Sequence, residues 1–258
     1  MLQIQTISAA YTAPPDLLAQ RVLVITGAGA GIGRALALTC AEHGATVVLL
    51  DRNVRQLEQV YDQIEQNGGP QPAIYPLNLE TATPEHYQEL TATLQQNFGR
   101  LDALVHNAAS LSKLSPLEHA DIGVWFKTLQ INLTAPFLLT RACLPLLRAG
   151  DDGRVLFLAD SVGRRGKAYW GAYGVSKFAL EGLMQILAEE VAASTPLRVN
   201  SVDPGAVRTA LRRTAYPAED AELLPLPEQI VGGLLYLLGK ESRQLHGQML
   251  RIESAEAV

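Results

Sequence analysis

Tyr173-Gly-Val-Ser-Lys177 sets a phenol and an ammonium four residues apart. On a helix this spacing puts both side chains on one face, so they can serve one site. A free phenol titrates near pH ~10 and is a poor base at neutrality, whereas a neighbouring cation favours the phenolate. Tyr173 so placed would give a proton to a carbonyl oxygen during reduction, or take one from an alcohol during oxidation. Lys177, with its three donors, would tune the phenol and hold a sugar hydroxyl. By itself such a pair is an ordinary surface contact, and redox chemistry needs a partner that carries electrons.

TGAGAGIG, Thr26 to Gly33, supplies the signal for that partner. It follows the apolar run Val22–Ile25 and opens a helix over Gly31–His43. Gly27, Gly29, Gly31 and Gly33, with Ala30 and Ile32 between them, make a turn almost free of side chains. Glycine lets the backbone approach a pyrophosphate, and the first amides of the helix point at it. An ordinary tight turn is the competing reading, and the strand–loop–helix context favours a dinucleotide. Asp51 ends the next apolar run, Thr46–Leu50, where a carboxylate accepts hydrogen bonds from ribose hydroxyls. It predicts NAD over NADP, with NADP possible, because a carboxylate repels a 2′-phosphate. Ala30 adds no compensating cation, and Arg52 is the one residue that could turn toward such a phosphate.

These residues need a frame. Strand-like runs at Val22–Ile25, Thr46–Leu50, Ala73–Leu77, Ala103–Val105, Arg154–Leu158, Arg198–Val202 and Gln248–Ile252 alternate with helical segments. The helices are expected at Gly31–His43, near Asn53–Gln66 with Asn53 as cap, near Pro84–Phe98, at Asp121–Arg148 and at Ala172–Ala193. Alternation of this kind predicts an α/β fold, a Rossmann-type doubly wound parallel sheet of about seven strands. Residues 1–20 read as an N-terminal extension and residues 21–258 as one dinucleotide-binding domain.

The chain has 258 residues, 48% hydrophobic, enough for a sizeable core without disulfides or metal. Its formal charge of −5, with no long basic run, argues against a nucleic-acid partner. No apolar run is long enough for a membrane helix, and the first 20 residues lack the pattern of a secretory signal. Cys40 and Cys143 lie in apolar stretches and read as buried thiols, and the five histidines show no ligand spacing, so no metal is expected. A cytoplasmic protein is expected.

The sequence resembles the short-chain dehydrogenase/reductase family, with motifs in family order from about Val22 to Ile252. TGAGAGIG resembles its cofactor loop, FGRLDALVHNAA its Asn-Asn-Ala-Gly strand, and INLTAPF the segment with its catalytic asparagine. YGVSK matches the family signature, and RVNSVDPGAVRT resembles the Pro-Gly segment over the nicotinamide. The resemblance implies an NAD(P)-dependent oxidoreductase that interconverts a carbonyl and an alcohol on a small molecule. It assigns catalysis to Asn132, Ser161, Tyr173 and Lys177. For the cofactor it adds Asn78, Leu79, Asn107, Ala108, Pro204, Gly205, Val207 and Thr209 to the loop residues, Asp51, Arg52, Tyr173 and Lys177. Asn132 would support a water relay to Lys177; Pro136, lacking an N–H, leaves the Asn132 carbonyl free for it. A non-catalytic dinucleotide sensor or scaffold is the alternative, disfavoured because a pure binder needs no proton relay. Epimerases and dehydratases that share the Tyr–Lys pair usually carry a larger C-terminal region.

Four positions depart from the family pattern. His106 and Ala109 replace the first Asn and final Gly of the HNAA stretch, and Asn78 replaces an aspartate. Ser161 lies one residue too close to Tyr173, and a gapless match puts Asp160 in its place. A carboxylate anion cannot donate to an oxyanion, so Ser161 is expected to serve, with the loop shortened by one residue around Val162–Gly163. Trp170 could line the substrate pocket or the core. Arg208, Arg212 and Arg213 read as a solvated helix face or, less favourably, as receivers of an anionic substrate. Leu133–Leu147 and Ala172–Ala192 are apolar on more than one face, which predicts a homodimer or homotetramer.

Overall fold

Continuous aliphatic runs such as VLVIT and RVLFL form strands buried on both faces, as a parallel sheet requires. In the computed structural model, which describes residues 4–253, eight strands form one sheet. They are β1 (Ile4–Ser8), β2 (Val22–Thr26), β3 (Thr46–Asp51), β4 (Ala73–Pro76), β5 (Ala103–His106), β6 (Arg154–Leu158), β7 (Arg198–Asp203) and β8 (Met249–Glu253). Every pairing is parallel, in the order β1-β8-β7-β6-β5-β2-β3-β4.

The helices are α1 (Gly31–Glu42), α2 (Val54–Gln66), α3 (Pro84–Phe98), α4 (Ile122–Leu129), α5 (Ala135–Ala149), α6 (Gly171–Ala192), α7 (Ala210–Ala215) and α8 (Pro227–Leu238). Leu36, Leu57 and Leu234 bring α1, α2 and α8 onto one face of the sheet, and Leu90, Leu139 and Met184 bring α3, α5 and α6 onto the other. Asn53 caps α2 as expected, its Oδ1 accepting from the Gln56 amide at 3.3 Å, a contact worth about 1 kcal/mol. Because β2 neighbours β3 on one side and β5 on the other, the loops after β2 and β5 part at the carboxyl ends of the strands. That divergence opens the crevice in which this fold class holds its ligands.

Two expectations need correction. The strand count rises from about seven to eight because Ile4–Ser8, inside the stretch read as an extension, pairs with β8 from Ile4↔Met249 to Ser8↔Glu253. The boundary at residue 20 therefore does not mark the edge of the sheet. The helix expected over Asp121–Arg148 is two helices joined by a π-helical turn at Gln130–Thr134. Pro136 has no N–H to donate four residues back to Asn132, and a wider turn, with the Ala135 amide bonded to Gln130, runs into it.

Candidate active site

The loop after β2 is packed too tightly for side chains. Gly27 has φ +68°, a left-handed conformation that favours glycine. A methyl on Gly33 would overlap the Gly27 carbonyl and the Asn107 amide, and one on Gly29 would lie 2.9 Å from Gln56 Cβ. Thr26 fastens this loop to the end of β5: its Oγ1 accepts the amides of Asn107 and Ala108, each at 3.0 Å. Asn107 Nδ2 in turn donates to the carbonyls of Thr26 at 2.8 Å and Gly27 at 3.2 Å. Ala30 precedes α1 without a side-chain cap, so the first amides of that helix are free of a competing oxygen from it. Ile32 packs into the core below. A side-chain-free loop ahead of an uncapped helix fits a pyrophosphate.

Asp51 reaches the same loop, with Oδ2 3.5 Å from the position of a Gly29 Cβ and Oδ1 accepting the Asn53 amide at 3.0 Å. Arg52 extends into solvent, 65% exposed, and its nearest carboxylate, Glu80, stands 4.0 Å away and is held closer by Lys127 at 2.7 Å. Asn78 Oδ1 accepts the Glu80 amide at 3.1 Å, and Leu79 beside it is buried. Across the crevice, Gly205 has φ +76° after Pro204, and Asp203 Oδ1 accepts its amide at 2.9 Å. Val207 is buried, and Thr209 caps α7 through the Arg212 amide at 3.1 Å. The Thr209 methyl lies 3.5 Å from the position of a Gly31 Cβ, so the base of the Pro-Gly segment rests on the glycine loop.

Tyr173 and Lys177 share one face of α6, as the spacing predicts, and both are buried. Lys177 Nζ donates to the Leu158 carbonyl at 2.6 Å and lies 5.6 Å from the Tyr173 ring centre. Burial lowers Lys177 to about 8, against the pull of Asp160, Asp203 and Glu181. Asn132, in the π-turn, accepts the Ser110 amide at 2.7 Å and donates to the Ser110 carbonyl and Ser176 Oγ, each at 3.0 Å. It thereby ties the chain after β5 to α6 beside Tyr173.

The register around Ser161 differs from expectation. Asp160, not Ser161, faces Tyr173: the phenol donates to Asp160 Oδ2 at 3.0 Å. Ser161 is exposed and donates to Asp160 Oδ1 at 3.2 Å. The Asp160 carboxylate caps the 3-10 turn Ser161–Gly163 through the Val162 amide at 3.0 Å, which turns Ser161 outward. The expected effect on the phenol also reverses. Burial first, then the charge and hydrogen bond of Asp160 and the charge of Asp203, push Tyr173 well above its ordinary value.

His106, which replaces the usual asparagine, stacks on Phe157 at 4.8 Å and bonds Thr140 at 2.7 Å. Burial lowers it to about 3, so it is a neutral core residue. Trp170 is both core and wall: it packs 5.6 Å from Tyr173 and 5.8 Å from Tyr216. Leu111, Leu114, Leu211 and Tyr216 close an apolar shell around Tyr173, none of them foreseen, because they converge on α6 from two separate segments. Arg212 is spent on Glu219 at 2.6 Å, and Arg208 donates to the Glu222 carbonyl at 2.9 Å. Among the described residues no group of three His, Cys, Asp or Glu could hold a metal, and no helix is long and apolar enough to cross a membrane.

The sequence profile of the short chain dehydrogenases matches residues 21–220. The uncharacterized oxidoreductase YciK of Escherichia coli (strain K12) is 45% identical over 237 residues, 92% of this chain and 93% of that protein. A solved chain from Pseudomonas syringae, described as a short chain dehydrogenase, is 49% identical with a TM-score of 0.92, covering 93% of this chain and 98% of its own. A Shigella flexneri 2a chain complexed with NADP and an Escherichia coli CFT073 chain complexed with NADPH are each 44% identical, with TM-score 0.89 and the same 93% and 98% coverage. The glycine cradle, the Tyr–Lys pair on α6 and these likenesses agree, and the chain belongs to the short-chain dehydrogenase family.

Proposed function

We propose that this chain interconverts an alcohol and a carbonyl on a small apolar molecule, using a nicotinamide dinucleotide and Tyr173 as the proton-transfer group. The observation that carries this reading is a buried phenol and ammonium on one helical face, roofed by Trp170 and Tyr216. The dinucleotide, when bound, supplies or accepts the hydride. Gly27, Gly29, Ala30, Gly31, Ile32 and Gly33 would hold its pyrophosphate, Asp51 and Arg52 its adenosine ribose, Asn78 and Leu79 its adenine. Asn107, Ala108, Pro204, Gly205, Val207 and Thr209 would border the nicotinamide half, with Lys177 on its ribose. Asn132 would orient the chain after β5 and, through its carbonyl, serve the water relay to Lys177. A turnover screen of secondary alcohols with both oxidised cofactors, and of ketones with both reduced ones, tests this reading. Turnover of at least one pair supports it, and a protein that binds cofactor yet turns over none contradicts it.

On cofactor choice the sequence expectation of NAD over NADP does not match the two 44%-identical relatives, whose crystals hold NADP and NADPH. We propose that this chain accepts both cofactors, within about tenfold of each other. Arg52, exposed and only loosely paired, can turn toward a 2′-phosphate with little loss, while Asp51 keeps ribose hydroxyls as partners. Titration of both reduced cofactors checks it: Arg52→Ala should lose NADPH affinity about tenfold and Asp51→Ala should gain it. Wild type that rejects either cofactor by more than about 100-fold would overturn dual use.

A homo-oligomer is also proposed. Large apolar side chains face outward on three helices: Ile122 and Phe126 on α4, Phe137 on α5, Phe178 and Ile186 on α6, with Phe126 at 65% and Ile186 at 60% exposure. Water does not favour such a surface, and a second copy is its natural cover. Light scattering at micromolar concentration should give two or four times 27.9 kDa; the single mass would contradict it. Cytoplasmic residence belongs with this reading, since Cys40 and Cys143 are both free and buried.

A further inference from the structure

We propose that Asp160 is a catalytic residue of this protein: the group that takes the proton from Tyr173 during alcohol oxidation and returns it during carbonyl reduction. The inference rests on the alcohol–carbonyl reading above and concerns where the proton goes.

The carboxylate is held in place from one side. Its Oδ1 accepts the Val162 amide at 3.0 Å and the Ser161 hydroxyl at 3.2 Å, which leaves Oδ2 for the Tyr173 hydroxyl at 3.0 Å. The phenol hydrogen therefore already points at a base. An ionised carboxylate offers only acceptor oxygens, and so does a carbonyl. Where a serine would donate to substrate oxygen, Asp160 does so only when protonated. An alcohol is the better match to the ionised form, because it brings its own hydrogen to the phenol oxygen.

In the oxidation direction the alcohol O–H bond breaks and its proton passes to Tyr173 Oη. The Tyr173 O–H bond breaks in the same sense, and that proton passes to Asp160 Oδ2. The carbinol C–H bond breaks with its electron pair going to an oxidised nicotinamide dinucleotide, and the C=O bond forms. Tyr173 ends as it began, Asp160 ends protonated, and water later removes that proton. Reduction is the exact reverse in atoms and charge, and so begins from protonated Asp160.

The charged and titratable groups that act on this carboxylate are Tyr173 and Lys177 from α6 and Arg212 from α7; Asp203 from the end of β7 acts on Tyr173 and Lys177, and Glu181 from α6 acts on Lys177. Glu181 is paired with Arg164 at 2.8 Å and Arg212 with Glu219 at 2.6 Å. Lys177 is therefore the buried cation not matched by an ion pair of its own, and it stands beside Tyr173 and Asp160. The phenol, held protonated by burial and by Asp160, gives little phenolate near neutrality. A relay ending on a carboxylate removes the need for phenolate and lets oxidation run in mildly acidic solution.

The test measures kcat/KM for oxidation of cyclohexanol with NADP and NAD from about pH 6 to about pH 9 in wild type, Asp160→Ser and Asp160→Asn. Wild type should be nearly flat over this range. Both variants should be at least about tenfold slower near pH 6 and recover toward wild type near pH 9, since they must wait for the phenolate. A variant profile that parallels wild type overturns the proposal. A second readout needs no turnover: ultraviolet difference titration of tyrosinate in the NADP complex, with Tyr173→Phe subtracted. Asp160→Asn should lower the Tyr173 titration by about one unit or more, and an unchanged midpoint overturns the proposal even if cyclohexanol is no substrate. Tyr173→Phe separates the two claims. Full activity in that variant defeats the alcohol–carbonyl reading itself, whereas unaltered Asp160 variants in an enzyme that Tyr173→Phe silences defeat the relay alone.

Discussion

Tyr173→Phe is expected to lower turnover by at least about 100-fold while leaving dinucleotide affinity within about twofold of wild type. The ring keeps its place in the shell of Val162, Trp170 and Ala215, so the helix and the pocket wall survive the change. Only the hydroxyl goes, and with it the oxygen that donates to Asp160 Oδ2, on a ring whose centre lies 5.6 Å from the Lys177 ammonium. Removal of a positioned proton donor costs about 10²–10⁴ in rate, while binding residues on the far side of the crevice are untouched. Lys177 should separate the two effects: its ammonium would serve the reaction site and also hold the ribose, so Lys177→Ala should raise the cofactor Kd as well as lower turnover. Steady-state kinetics and cofactor titration on the same preparations check both. Equal losses of affinity in the two variants would show that Tyr173 is a binding residue.

The second large effect is expected at Gly33→Ala. The added methyl would overlap the carbonyl of Gly27 and the side-chain amide of Asn107, two groups fixed by Thr26 and the end of β5. Neither is the free end of a flexible chain, so the loop must move outward from the sheet. Overpacking of this kind costs about 1–3 kcal/mol of stability. The same displacement carries the loop amides away from a pyrophosphate, so NADPH should bind at least about tenfold more weakly. Thermal unfolding and fluorescence titration measure the two losses separately. A variant that binds cofactor as tightly as wild type would show that the loop is not the cradle described.

The frame was legible in sequence wherever burial is continuous. Thr46–Leu50 of β3, Val22–Ile25 of β2 and the whole of β6 read as strands because a parallel sheet buries both faces, and the glycine loop and the Tyr–Lys spacing are local. What escaped depends on distant partners. In IQTIS of β1 only Ile7 is buried, so it lacks the apolar run of a central strand, and only β8 beside it makes it one. The apolar pattern runs unbroken across Gln130–Thr134, which hides the π-turn. Ser161 was favoured for its chemistry, but position is decided by the Asp160 side chain bonding the backbone two residues on. The raised titration of Tyr173 was beyond reach for the same reason: i,i+4 spacing shows the lysine, and only the fold shows the burial and the Asp160 carboxylate just after β6 that raise it.

The central claim is hydride exchange at a carbon whose oxygen faces Tyr173. Its most direct test is isotope transfer. Enzyme is incubated with cyclohexanone and NADPH or NADH deuterated at the transferable position of the nicotinamide, and the product alcohol is analysed by mass spectrometry. The structure predicts one deuterium on the carbinol carbon, stereospecifically placed, and label incorporation at least about 100-fold slower with Tyr173→Phe. Product without label, or label incorporated as fast by the variant as by wild type, would contradict it.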